Sequence, residues 1–155
     1  MRSMMIVLVA LLLFACNNET GTVVKSGQQT LIDSLVMDVN KGHNLGMARM
    51  GKLTRYQQST QQLRDSIAAL PAAARTRMDG YLRQLDTLQR QIDSADLSMN
   101  KWMEEYSFDT LADNPELKAT YLSGEKIKVE AMVGLIQQAI SKGDSLLRIV
   151  RPGAN

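Results

Sequence analysis

From Met78 to Tyr106 the apolar residues fall at Met78, Tyr81, Leu85, Leu88, Ile92, Ala95, Met99, Trp102 and Tyr106, in steps of three and four that alternate without exception. Only an α-helix gathers such positions on one side, because 3.6 residues per turn bring the chain back to the same face every seven. Arg, Gln, Asp, Ser and Lys fill the positions between and form the solvated side. One long apolar seam has to be covered by another element, so this segment requires at least one partner helix.

Two further segments supply partners. A seven-residue repeat runs through Ile32, Val39, Gly46, Leu53, Thr60 and Ile67, accompanied by Val36, His43, Met50, Tyr56, Leu63 and Leu70. Thr30 suits a helix start, with Asp33 three residues on. Gly42, Gly46 and Gly51 each cost about 1 kcal/mol against Ala, so a bend or loosening is expected there. Pro71 ends this helix and suits the first turn of the next. The third seam reads Leu122, Glu125, Val129, Met132, Ile136, Ala139, Gly143, Leu146 and Val150, preceded by Asn114-Pro115-Glu116, a cap, a first-position proline and a first-turn acid. These features predict an all-α fold, an elongated antiparallel three-helix bundle running up-down-up and packed like a coiled coil. The helices are expected at about 31–70, 72–107 and 115–150 within a domain of residues 30–151, from helix periodicity and caps. A helical hairpin that pairs with a second copy as a longer coiled coil is the structural alternative, and a homodimer is the corresponding partner.

The first 29 residues read differently. Arg2 precedes an unbroken apolar run from Met4 to Phe14, too short to span a bilayer, which takes about 20 residues. It suits the core of a secretion signal. The run closes on Leu13-Phe14-Ala15-Cys16, which resembles the lipobox of bacterial lipoproteins. That resemblance implies a signal peptide over residues 1–15, with Leu13 and Ala15 as cleavage-recognition positions. It also implies a Cys16 thiol carrying diacylglyceryl, and a new amino terminus acylated by a fatty acid such as palmitate. Several chains hold a protein stably where one does not, since each buried CH₂ contributes roughly 0.8 kcal/mol. Residues 16–29 are polar, with no apolar period, and read as the lipidated Cys and a tether. Asn17 follows the Cys where an inner-membrane retention signal would resemble Asp, so the expected place is the outer membrane, facing the periplasm.

Charge excludes some functions. The chain carries 18 Lys plus Arg against 16 Asp plus Glu, an excess of 2, and the signs alternate along it. No basic stripe points to nucleic acid. The single Cys closes no internal disulfide. No Ser-His-Asp set, phosphate-cradling glycine loop or CxxC is present, so the sequence predicts no enzyme, no metal and no cofactor beyond the covalent lipid.

Two polar residues, His43 and Glu125, interrupt the seams. Antiparallel register places position 43 against 99, and 99 against about 122, so His43, Asp96, Met99 and Glu125 are expected to share a layer in which His43 contacts Glu125. A register-fixing polar pair is the plainer reading of such a layer; a small-ligand or ion-binding sensor is the other. Trp102, Met103 and Tyr106, near the end opposite Pro71, are a candidate partner surface, and an end-of-core cluster is the alternative. The methionines Met37, Met47, Met50, Met78, Met99, Met103 and Met132 are expected as core filling.

Three blocks carry a wider resemblance: His43-Asn-Leu-Gly-Met47-Ala-Arg-Met50-Gly51-Lys-Leu53; Ala95-Asp96-x-x-Met99-x-x-Trp102-Met103-x-x-Tyr106; and Tyr121-Leu122-x-x-Glu125-x-x-Lys128-Val129. Together with the lipobox they resemble short Bacteroidetes-type helical lipoproteins, some of them labelled "viral A-type inclusion protein". Family members tend to read His-Asp-Glu-Val-Met-Pro-Lys-Met-Gly in the first block, and this chain departs at Asn44, Leu45, Gly46 and Ala48. The resemblance implies a helical, envelope-anchored protein of unassigned role and brings no catalytic residues. Separately, the leading expectation for the chain is an interaction module that meets the bilayer through its acyl chains and holds another envelope protein.

Overall fold

The computed structural model describes residues 27–148. It contains three helices: α1 (Gly27–Ala68), α2 (Ala72–Glu105) and α3 (Pro115–Arg148). At 1.5 Å per residue they span about 63, 51 and 51 Å. The expected three-helix bundle is the fold observed, with every pair of helices in contact. Cys16, Leu13, Ala15 and Val150 lie outside the described residues.

The seams read from the sequence are the core. Val39, Leu53, Leu85, Leu88, Ile92, Met99, Val129, Met132 and Ile136 are all at most 1% exposed. The α1 repeat is buried from Ile32 to Ile67, its two weak members Gly46 and Thr60 included. Residue pairs 28/115, 38/126 and 56/144 meet across the α1–α3 interface at separations of 87 or 88, so these two helices run parallel and in constant register. α2 runs against both, with His43 facing Trp102 and Trp102 facing Glu125.

Helix ends depart from expectation by a few residues. α1 begins at Gly27, so residues 27–29 belong to the bundle and not to the tether, and Thr30 sits inside the helix. Gln28 Nε2 donates to the Pro115 carbonyl at 3.2 Å and Gln29 Nε2 to Asp33 at 2.8 Å. Glutamine favours helix without adding to an apolar period, which is why the period under-reads this end. α1 stops at Ala68, leaving Leu70 39% exposed outside the seam. Pro71 precedes α2, and its carbonyl accepts from Ala74 N and Arg75 N at 2.9 and 3.0 Å. Asn114 caps α3 as expected, its Oδ1 accepting Leu117 N at 3.0 Å.

The three glycines of α1 separate into two kinds. α1 is continuous through all of them. A Cβ on Gly42 would meet Val129 Cγ1 at 2.7 Å, and one on Gly46 would meet Met99 Cε at 2.6 Å. Both allow close approach between helices, which offsets their intrinsic cost. Gly51 has no such contact, its nearest neighbour being an Arg55 side-chain nitrogen at 3.8 Å.

Thr60 is fully buried and its hydroxyl has no hydrogen-bond partner among the described residues. An orphaned buried hydroxyl costs about 1–3 kcal/mol. Thr60→Val replaces it with a methyl of similar shape, so a gain of about 1 kcal/mol is expected in urea unfolding followed by helical circular dichroism. A loss of stability would show that the hydroxyl is satisfied.

α2 is the short member at one end. Because His43 faces Trp102, Glu105 stands level with about residue 40 of α1. Beyond that level α1 and α3 continue together, while residues 106–114 run alongside as a loop. This end holds its own small core of Ile32, Leu35, Ala119 and Leu122. Within the loop Leu111 has φ 60°, a left-handed conformation costing a non-glycine residue about 1–2 kcal/mol.

Candidate functional site

The polar layer forms around Trp102, which no sequence argument had placed there. Glu125 is 2% exposed. Its Oε2 accepts the Trp102 indole N–H at 2.9 Å, and its Oε1 accepts Lys128 Nζ at 2.8 Å. Lys128 lies one turn along α3 with its side chain 56% exposed, so it neutralises the carboxylate from the rim. The Glu125 carboxylate in turn holds the Lys128 ammonium above the ordinary lysine range. Burying a lone carboxylate is costly; two donors, one of them charged, make this one tolerable.

His43 belongs to the layer but does not bond Glu125. Its ring lies 5.2 Å from the Trp102 ring, tilted by 34°, and its Nε2 is buried without a hydrogen-bond partner among the described residues. The indole stands between the two residues expected to touch. Asp96 is outside the layer altogether: it is exposed and accepts Asn100 Nδ2 at 3.1 Å. Ala95 occupies the seam, and one residue further round a helix is about 100° away. Asp96 also lies six residues, about 9 Å, along α2 from Trp102, so the sequence register missed its level as well as its direction.

The rings continue toward the loop. Trp102 stacks on Tyr106 at 4.7 Å and Tyr106 on Tyr121 at 6.3 Å. Tyr121 Oη accepts Ser107 N at 2.9 Å, tying the loop to α3. Burial raises the Tyr106 hydroxyl above the usual tyrosine range, helped by Tyr121 and Glu125 nearby. The trio Trp102, Met103 and Tyr106 therefore divides. Trp102 is core at 6% exposed and Tyr106 is partly buried, whereas Met103 is 42% exposed. Trp102 and Tyr106 form the end-of-core cluster; of the three, Met103 reaches solvent. Among the other methionines, Met99 and Met132 are core, while Met37 and Met47 are 71% and 45% exposed and do not fill it.

A second polar cluster escaped the sequence reading. Lys52 pairs with Asp144 at 2.9 Å, and the Tyr56 hydroxyl donates to the same carboxylate. Tyr56 lies against Gly143, which has no side chain to displace it. Arg55, Leu63, Leu147 and Arg148 line a groove of about 500 Å³ beside this cluster. The usable signal was a Lys-x-x-x-Tyr pair on α1 facing a seam glycine on α3. The Tyr56 and Lys52 hydrogen bonds hold the Asp144 carboxyl below the ordinary aspartate range. A depressed pKa contributes stability above the unfolded value, 3.8, and that contribution fades as pH falls through the folded value. Asp144→Asn is expected to cost under about 1 kcal/mol at pH 7, the pair being over a third exposed, and to cost less and less below pH 3.8. A difference that widens on acidification would contradict this.

Signs that alternate along the chain are sorted by the fold. Taking the level of residue 47 on α1 as a cut, the loop end (27–47 and 97–134) carries five Lys or Arg and nine Asp or Glu. The Pro71 end (48–96 and 135–148) carries ten and six. One end is therefore net −4 and the other +4. Ten of the eleven large apolar side chains exposed among the described residues belong to the acidic end, Leu31, Met103, Phe108, Leu111 and Leu117 among them.

Among the described residues no helix is long and apolar enough to cross a membrane, and no group of three or more His, Cys, Asp or Glu is placed to hold a metal. No family model, curated protein or solved structure gives a significant match to this chain.

Proposed function

We propose that this protein is a lipid-anchored helical interaction module of the bacterial cell envelope, tethered through Cys16 to the outer membrane on its periplasmic side and working by presenting its surface to another protein. The observation that carries this reading is the exposure of Leu31, Met103, Phe108, Leu111 and Leu117 at the end of the bundle where α1 begins. Large apolar side chains exposed toward one end of a domain commonly mark an interaction site. Gly27 lies eleven positions after Cys16, a reach of at most about 40 Å even when fully extended. An anchor at Cys16 would therefore keep this end close to the bilayer.

Further support comes from the sequence: the Met4–Phe14 run, the Leu13-Phe14-Ala15-Cys16 lipobox and the resemblance to short Bacteroidetes-type lipoproteins. Each Glu125 oxygen already accepts a hydrogen bond within the protein, which favours a register-fixing role for the polar layer over a sensor's binding site.

Two measurements test the proposal. Mass spectrometry of the native protein should find residues 1–15 removed and Cys16 acylated, and Cys16→Ser should abolish both changes. A photo-crosslinking residue at position 108 or 117 should give a discrete adduct in intact cells, whereas one at exposed position 79 at the far end should not. An unmodified Cys16 thiol would remove the anchor, and equal labelling from both ends would remove the interaction surface.

A further inference from the structure

We infer that the acidic end of the bundle docks a basic, amphipathic protein helix held close to the membrane. The inference rests on the anchored-module reading and adds to it the chemistry of the partner.

The first reason is geometric. Through most of its length the bundle has three helices in cross-section, but α2 ends at Glu105, and beyond about residue 40 of α1 only α1 and α3 continue. The core there is four residues, Ile32, Leu35, Ala119 and Leu122, and the loop beside it turns Phe108 and Leu111 outward, 56% and 39% exposed. The loop closes the third side of this core and leaves Leu31, Phe108 and Leu117 exposed around it, apolar area that a docked helix would cover. The apolar face of an amphipathic helix is a regular partner for such side chains. Leu111 adds to this, since its left-handed backbone holds an apolar side chain toward solvent where glycine would be the unstrained choice.

Charge identifies the occupant. Glu104, Glu105, Asp109, Asp113 and Glu116 share the segment 101–118 with Met103, Phe108, Leu111 and Leu117, against Lys101 and Lys118. Lys101 is paired with Glu105, and Lys118 lies over the Phe108 ring. Surfaces that settle into a bilayer carry Lys and Arg beside their apolar face, and an anionic leaflet would repel this one. A helix with an apolar stripe bordered by Lys or Arg is attracted over the same distance and gains both contacts.

For the test, the purified mature protein is reconstituted into zwitterionic lipid nanodiscs and titrated with a fluorescein-labelled Lys/Leu amphipathic helical peptide, then with the same peptide carrying Glu for Lys. The Lys peptide should bind. The Phe108→Ser/Leu111→Ser double variant should weaken it about tenfold or more, and the Glu peptide should bind more weakly by a similar factor. Both positions are exposed, and helical circular dichroism verifies that the variant is folded.

No binding of the Lys peptide, equal binding of both peptides, or binding indifferent to the double variant overturns the inference. It is also overturned if the Cys16→Ser chain prefers phosphatidylglycerol vesicles to the peptide, or forms a concentration-dependent dimer that the double variant dissolves. Failure of the anchor is read separately, as protein that does not enter nanodiscs; the peptide titration is then read in free solution.

Discussion

Trp102→Ala is expected to destabilise the protein by about 4 kcal/mol or more, since large-to-small changes at buried aromatics cost about 3–5 kcal/mol in cavity and lost transfer energy. Trp102 is 6% exposed, stacks on Tyr106 at 4.7 Å and meets His43 at 5.2 Å, so its removal unpacks both rings. It also takes away the donor to Glu125 Oε2, and a buried acceptor left without its partner adds about 1–3 kcal/mol. Trp102→Phe keeps a stacking ring while losing the N–H and part of the indole's volume, so it removes less packing than Ala does. A loss of about 2 kcal/mol is expected for Phe, and a smaller loss for Glu125→Gln, whose carbonyl still accepts the indole N–H. Urea unfolding with an unchanged slope is the measurement. Equal stability of wild type and Trp102→Ala would show that the layer is not packed as described.

Gly143→Ala should cost about 2–3 kcal/mol, although alanine is the better helix former by about 1 kcal/mol. The added Cβ collides with Cδ2 and Cε2 of the Tyr56 ring. That ring cannot simply slide aside, because its hydroxyl is bonded to Asp144 on the next residue of α3, and Asp144 is also paired with Lys52. Either the helices separate or the cluster breaks. In a Tyr56→Ala background the obstruction is gone, and Gly143→Ala should become neutral or stabilising; residues in contact couple in this way. Additive effects of the two substitutions would exclude the contact. By the same reasoning Gly134, with nothing within 4 Å of an added Cβ, should accept alanine with a gain.

What the sequence made legible depended on periodicity. Steps of three and four report direction around a helix as well as position along it. They placed Leu85, Ile92, Val129 and Ile136 in the core, and also Gly46 and Thr60, neither of which looks like a core residue alone. Antiparallel register reports level only. It brought His43 and Glu125 into one neighbourhood, although the observed α1–α3 register sets Glu125 level with residue 37 or 38. It missed the indole between them and admitted Asp96, which is exposed and six residues from Trp102. The Tyr56–Asp144–Lys52 cluster needed contacts across α1 and α3, and their parallel pairing at 87 or 88 residues is visible only after folding. Charge was hidden for a related reason. Signs that alternate along the chain say nothing about which segments the turns at Pro71 and residues 106–114 will stack at one end.

The shortness of α2 has an energetic consequence. The main core and the four-residue core near the loop are separate clusters, with Tyr106 packed against both. Burial that is split in this way does not melt as a unit. The overhanging turns of α1 and α3 can fray and re-form while the long seam stays intact, so backbone amides near Leu35 and Leu122 would exchange with deuterium well before those near Leu88 or Val129. A bundle that loosens first at one tip can remodel there without risking the rest of its structure.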